Sequence, residues 1–275
     1  MPVALVFQLH PLRDALLPPF LGRAAHAALL RALATVDAEA ARELHDMPGQ
    51  RPFTVAVLEE GVRYGRRETA ARAGVPLHLR VTLLDDELEP LVARAVLPGS
   101  PVQLGQLPLL IGEPATDHPL AGRARYEELA ALLEPGTRHP LRLRLRFFSP
   151  TTFHQGTHHL PLPLPKLVFG SLAERWNAFA PVHIAPEVVR GFEQLWVAAY
   201  HLETRLVDTG QGKLVGFQGW CEYRSDAVEP PVRAAARTLA EFATYAGVGH
   251  KVAMGLGQAG LALSCSPGRA DRTTA

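Results

Sequence analysis

The chain has 275 residues, 47% hydrophobic and 20% charged, which is enough for one large domain or two modest ones with separate cores. A formal net charge of +1 gives no global attraction to nucleic acid, so any such binding must come from where the charges sit. Two distant cysteines, Cys221 and Cys265, exclude a disulfide framework and a zinc ribbon, and no stretch approaches the roughly 18 uninterrupted apolar residues of a membrane span.

In chain order, residues 3–9 read as a strand, too short and too poor in basic residues for a signal peptide, so a cytoplasmic protein is expected. Pro18 and Pro19 punctuate the chain. Leu21, Ala25, Ala28, Leu29, Ala32 and Val36 then recur at helical spacing, and Asp37 is placed to cap a second short helix ending near Leu44. Residues 53–58 and 77–84 read as strands, Asp85 and Asp86 open a helix to about Leu97, and residues 102–111 make a last strand. The first half, residues 1–120, is therefore βαββαβ.

The second half, residues 121–265, starts with a polar helix-like stretch at 124–133. Residues 141–147 alternate with period two, which puts Leu141, Leu143, Leu145 and Phe147 on one face and Arg142, Arg144 and Arg146 on the other. A proline-rich loop (151–165) follows, and residues 167–179 and 186–200 read as helical. Strands at 201–207 and 214–223 flank a hairpin turn. Pro230 and Pro231 suit the start of a helix over 232–246 and Gly247 suits its end. A glycine-rich loop and a strand at 261–265 complete a second βαββαβ unit. An α+β protein with two tandem ferredoxin-like (RRM-like) domains is predicted, and the tail 266–275, without apolar period, is expected to be disordered.

The glycine-rich loop, residues 247–260, packs five glycines around His250 and Lys251. Backbone N–H groups exposed beside a lysine suit phosphate. Residues 255–260 match G-x-G-x-x-G, but the order here is helix, loop, strand. A nucleotide fold needs strand, glycines, helix, and no P-loop motif occurs, so a nucleotide-dependent α/β enzyme is disfavoured.

Five segments together carry a resemblance: Leu44, His45, Asp46, Arg51, Phe53 and Thr54 within 44–54; Phe148, Ser149, Pro150 and Phe153 within 148–153; Phe169 to Phe179; Gly216, Phe217 and Trp220; and the glycine loop. In this order they resemble the CRISPR-associated endoribonucleases that cut repeat RNA (Cas six). The resemblance implies two ferredoxin-like domains and CRISPR repeat RNA as partner. It implies metal-independent, cofactor-free cleavage in which a ribose 2′-hydroxyl attacks the adjacent phosphate, leaving a 2′,3′-cyclic phosphate. Effector-complex subunits and a second copy of the chain are further candidate partners. In such a site His45 would act as general base or acid, with His26 assisting and Arg51 standing where some relatives carry a phosphate-stabilising lysine. Some relatives also place a tyrosine on the first helix; residues 28–33 have none. Gly247, Gly249, His250, Lys251, Gly255 and Gly257, with Arg142, Arg144 and Arg146, would contact RNA.

Each residue has a plainer alternative. His45 could cap a helix end, His26 could pack, the loop could organise a domain interface, and the arginines could protect a solvated sheet edge. His154, His158 and His159 are dense enough to suggest zinc. No cysteine or carboxylate lies close by, and Gly156 and the prolines oppose a helical pair, so no metal is expected. Neither half shows clustered aromatics, which favours recognition of RNA backbone and shape. The rival to the enzyme is a non-catalytic RRM-like RNA-binding subunit.

Overall fold

The computed structural model describes residues 1–58, 63–64, 69–134, 140–210 and 212–262. Its first unit runs β1 (Val3–Pro11), β2 (Ala15–Leu17), α1 (Gly22–Val36), α2 (Ala38–Asp46), β3 (Phe53–Leu58), β4 (Arg63–Tyr64), β5 (Thr69–Ala71), β6 (Leu77–Leu83), α3 (Glu89–Ala95), β7 (Pro101–Leu104), β8 (Leu107–Pro114) and β9 (Gly122–Arg123). The antiparallel order β3–β6–β1–β8 is ferredoxin-like, with β7 extending one edge and β9 pairing with β1. The apolar stripe of α1 buries Ala25, Ala28, Leu29 and Leu33. Asp37 caps α2 as its sequence suggests, accepting from the N–H groups of Glu39 and Ala40 at 3.1 and 2.9 Å.

The second unit runs α4 (Tyr126–Ala131), β10 (Leu141–Thr151), β11 (Phe153–Gln155), β12 (His158–Leu160), α5 (Pro165–Phe179), α6 (Pro186–Gly191), β13 (Trp196–Asp208), β14 (Lys213–Ser225), α7 (Pro230–Ala246) and β15 (Ala259–Leu261). Its sheet order, β13–β14–β10–β15, repeats the connectivity of the first. Trp176 of α5 and Phe242 of α7 meet edge to face at 5.2 Å in the same core as Leu145 and Phe147, all fully buried or nearly so. Side chains of this size stabilise by about 1.5–3 kcal/mol each. Gly247, at φ 69°, ends α7 with a backbone that favours glycine.

Several expectations are corrected. Residues 186–200 are not one helical stretch: α6 stops at Gly191, a 3-10 turn follows, and Trp196 already begins β13. Thirteen-residue pairing with β14 overrides local helix propensity there. Residues 102–111 are two strands folded back at Gly105 (φ 65°). The expected helix to Leu97 is a 3-10 turn and then seven residues of α3. The small sheet β2–β5–β4 and the hairpin β11–β12 inside the proline-rich loop carry no period that the sequence reading detects. Past β15, the end of the expected strand at 261–265 and the tail 266–275 lie outside the described residues, as does Cys265.

β9 joins the first sheet just past the expected boundary at residue 120, while Tyr126 and Leu129 already belong to the second core. Arg80 of β6 crosses between the two units. Only 3% exposed, it donates to the carbonyls of Leu120 and Thr244 and to Gln258 Oε1. Gln258 donates in turn to Thr54 Oγ1, itself 2.7 Å from Thr82 Oγ1. Burial lowers the Arg80 pKa to about 10, and every partner named is neutral, so this cation is held by dipoles.

Candidate nucleic-acid interface and cleavage site

Three residues from different elements meet beside the first unit's helices. His26, half-buried on α1, lies flat against Phe53 with ring centroids 5.7 Å apart. His45, exposed in the last turn of α2, stands 6.4 Å from His26. Arg51, in the turn leading to β3, donates through one guanidinium nitrogen to the Leu44 carbonyl, the residue before His45. The three residues named as catalytic from sequence are thus brought together.

The His26 ring carries a defined proton. Nδ1 lies 2.8 Å from the carbonyl oxygen of Ala253, which can only accept, so Nδ1 bears the hydrogen and Nε2 of the neutral ring is an acceptor. Burial lowers the His26 pKa below its ordinary value; the Ala253 bond opposes this, and the charges of Arg51 and His45 add to the lowering.

The glycine loop reaches this site from the second unit. The amides of Gly247, Gly249, Gly255 and Gly257 donate to Ala243 O, Ser171 Oγ, Val252 O and Pro150 O, and that of His250 to Thr152 O. A Cβ on Gly257 would overlap the Val248 carbonyl, and one on Gly22 of α1 the Met254 carbonyl. Gly22 and Gly255 therefore let the loop pack onto α1, the interface role left open by the sequence, Gly257 lets the loop close on itself, and the loop N–H groups named are engaged within the chain. Lys251, at φ 54°, begins the 3-10 turn that presents Ala253 to His26.

His250 joins His154 and His159 in a triangle of rings with centroids 5.2, 5.2 and 5.6 Å apart, while His158 bonds Thr157 instead. Burial first, then the charges of His159, Lys251 and His154, push the His250 pKa down to about 4. His159 is lowered by burial, His154 and Lys251. Lys251 thus acts electrostatically on this triangle, and Arg51 on His26. Among the described residues no group of three or more His, Cys, Asp or Glu side chains is arranged to hold a metal ion.

Arg142, Arg144 and Arg146 share the outer face of β10, as their alternation predicts. β15 pairs with residues 145–147 of β10 and Ala262 donates to the Arg144 carbonyl, so Arg144 and Arg146 do not guard a sheet edge. Arg142, Arg144 and Arg224 converge on Glu222, a carboxylate 3% exposed, at 3.1, 3.0 and 2.8 Å. Burial raises the Glu222 pKa, but the three arginine bonds outweigh it and leave it lowered. Arg144 also lies 4.2 Å over the Trp220 ring and Arg146 5.3 Å from Phe148. Strand register sets His201 opposite Trp220, and Trp196, 43% exposed, opposite Arg224. Aromatics scattered in sequence therefore do gather on one face, against the expectation that neither half would cluster them. A cleft of about 770 Å³ between the units opens beside this face, lined by Phe20, Leu58, Arg146, Phe148 and Arg205. It lies apart from His26, His45 and Arg51, none of which lines it. No helix among the described residues is long and apolar enough to cross a membrane.

Two family models match, one described as CRISPR-associated endoribonuclease Cas6 over residues 145–259, the other as CRISPR Cas6 N-terminal domain over residues 1–131. A solved Cas6 product complex is 31% identical, with a TM-score of 0.79 over 95% of this chain and 100% of that one. Thermus thermophilus Cas6 is 32% identical, with a TM-score of 0.71 over 95% and 98%. The CRISPR-associated endoribonuclease Cas6 of Mycobacterium tuberculosis is 29% identical over 118 residues, 42% of this chain and 37% of that relative's length.

Proposed function

The chain belongs to the Cas6 family, and from that premise we propose that it is an endoribonuclease cutting CRISPR repeat RNA without a metal ion. The grouping of His26, His45 and Arg51 carries this reading. In-line attack by a 2′-hydroxyl puts the entering and leaving oxygens on opposite sides of phosphorus. The reaction needs a proton acceptor on one side, a donor on the other, and a cation for the phosphorane.

His26, with Nδ1 tied to Ala253 and its charged form disfavoured by burial, is the acceptor: Nε2 takes the 2′-hydroxyl proton as the oxygen attacks. His45, exposed in the last turn of α2, donates to the departing 5′-oxygen. Arg51 stabilises charge on the non-bridging oxygens. The products are a 2′,3′-cyclic phosphate and a 5′-hydroxyl. Arg142, Arg144, Arg146 and Lys251 give the strand a cationic path, His250 beside it offers a neutral ring, and the glycine loop couples that path to His26. The similarity to a Cas6 product complex supports the same reading.

The test is cleavage of the cognate repeat RNA in excess EDTA, with His45→Ala and His26→Ala alongside. A cyclic-phosphate product that either substitution suppresses, with RNA binding retained, is expected. No cut in any repeat of the host locus would favour the non-catalytic RNA-binding subunit; a cut abolished by EDTA would overturn the metal-independent mechanism.

A further inference from the structure

Arg175 of α5 lies on the apolar stripe of its helix, between Leu172 and Trp176, and is 2% exposed. A guanidinium in that setting is costly unless its hydrogens are used. Two are used in one direction: one terminal nitrogen donates to Gln50 Oε1 and the other to the backbone carbonyl of Arg51, both at 3.0 Å. Nε has no partner, and no carboxylate pairs with Arg175 among the described residues. The charge persists all the same, since burial lowers the pKa only to about 10. A side chain kept only for packing would not need to be charged here, and one kept for an ion pair would have an acid beside it.

What Arg175 grips is the turn that carries Arg51. Arg51 in turn donates to Leu44 O, at the end of α2, next to His45. A chain of hydrogen bonds therefore runs from a helix of the second unit, through the Gln50–Arg51 turn of the first, to the last turn of α2. We propose that Arg175 is a positioning residue for cleavage, holding Arg51 and His45 in register with His26 from across the domain boundary. It touches no substrate in this role. The inference rests on the cleavage site proposed above. His26 is held from the second unit by Ala253, and Arg51 by Arg175, so both halves of the site depend on how the two units dock.

The test uses the full chain, single-turnover cleavage at saturating repeat RNA, and binding of an uncleavable repeat carrying a 2′-deoxyribose at the cut position. Arg175→Met should slow the cleavage step by about 10- to 100-fold while leaving RNA affinity within about threefold, because a small misplacement acts on the reacting geometry. Arg175→Lys, able to make one of the two bonds, should recover part of the rate. Gln50→Leu, in a half-exposed turn, removes one bond without emptying a buried site and should show a smaller loss of the same kind. It decides the matter if Arg175→Met fails to fold. A purely structural role would lower the melting temperature and the active fraction but leave the rate constant of the folded protein unchanged; that result, or equal losses in binding and rate, overturns the inference. His45→Ala separates the two levels. If it is inactive while the Arg175 and Gln50 variants cut normally, only this inference fails; if it cuts like the wild type, the site itself is misassigned.

Discussion

The His26 imidazole donates from Nδ1 to the carbonyl oxygen of Ala253 at 2.8 Å, joining residues 227 positions apart in the chain. That bond fixes the tautomer of the ring, and it exists only while the glycine loop stays docked on α1. Loop order and proton chemistry are thereby coupled.

The first consequence is a pH profile. Burial lowers the His26 pKa, so a base at this position is deprotonated and active to lower pH than an exposed histidine. The acidic limb of the single-turnover profile belongs to the base and should reach half its height below about 6.5, the ordinary histidine value, while the need for a protonated donor makes the rate fall again on the alkaline side. A half-rise at or above that value would remove His26 from the role of base.

A second concerns glycines of opposite kind. Gly257 has φ 65°, and a Cβ there would overlap the Val248 carbonyl. Gly257→Ala should destabilise by about 2 kcal/mol or more through backbone strain and should weaken cleavage with it. Gly170 lies inside α5, and a Cβ added there would meet nothing within 4 Å. Gly170→Ala should therefore stabilise by about 0.5–1 kcal/mol. Urea denaturation of both variants checks the pair; a stable Gly257→Ala would mean that the loop is free to rearrange.

Glu222 supplies a third. Its folded pKa is depressed by Arg142, Arg224 and Arg144, so its contribution is present above the ordinary carboxylate value and lost as pH falls through the depressed folded value. Glu222→Gln should cost about 1–3 kcal/mol at neutral pH, where a buried acceptor of charged donors is weakened. The variant should also lose stability less steeply than the wild type below about pH 4.5. Parallel acid-denaturation curves would refute this.

His250 also loses its contribution on acidification, over a higher window. Its folded pKa is about 4 and its ordinary value 6.5, so the unfolded chain takes up a proton that the native ring refuses. Stability from this group is complete above about 6.5 and falls as pH drops towards about 4. In His250→Asn the decline should flatten, read as melting temperature against pH between about 4.5 and 6.5, above the window of Glu222. An unchanged slope would place the titration elsewhere.

Much of the fold was legible because it is written in local periods. Leu141 to Phe147 alternate and become β10; Val232 to Ala246 repeat at helical spacing and become most of α7; Asp37 caps α2. The misreading of Trp196 to Tyr200 as helix has a physical cause, since pairing with β14 supplies hydrogen bonds that no local pattern encodes. Among the candidate site residues, His45 and Arg51 were reachable from the motif at residues 44–54 and His26 from its place on the first helix. His250 was named for its loop, yet its partnership with His154 and His159 was not, because β11 and β12 were read as coil. Arg175 left one visible signal, a lone cation on the apolar stripe of Val168, Leu172 and Trp176, but a stripe does not say what the cation faces.

By itself the sequence determined the two βαββαβ units, the order of their elements and the family-like segments, since each rests on the chemistry of neighbours a few residues apart. Only the tertiary structure decided which nitrogen of His26 carries its proton, what Arg175 grips, and that Glu222 gathers three arginines. Those facts arise where two separately built sheets and their helices are pressed together: burial there makes every unpaired polar atom costly, and partners are then chosen by proximity in space and not along the chain.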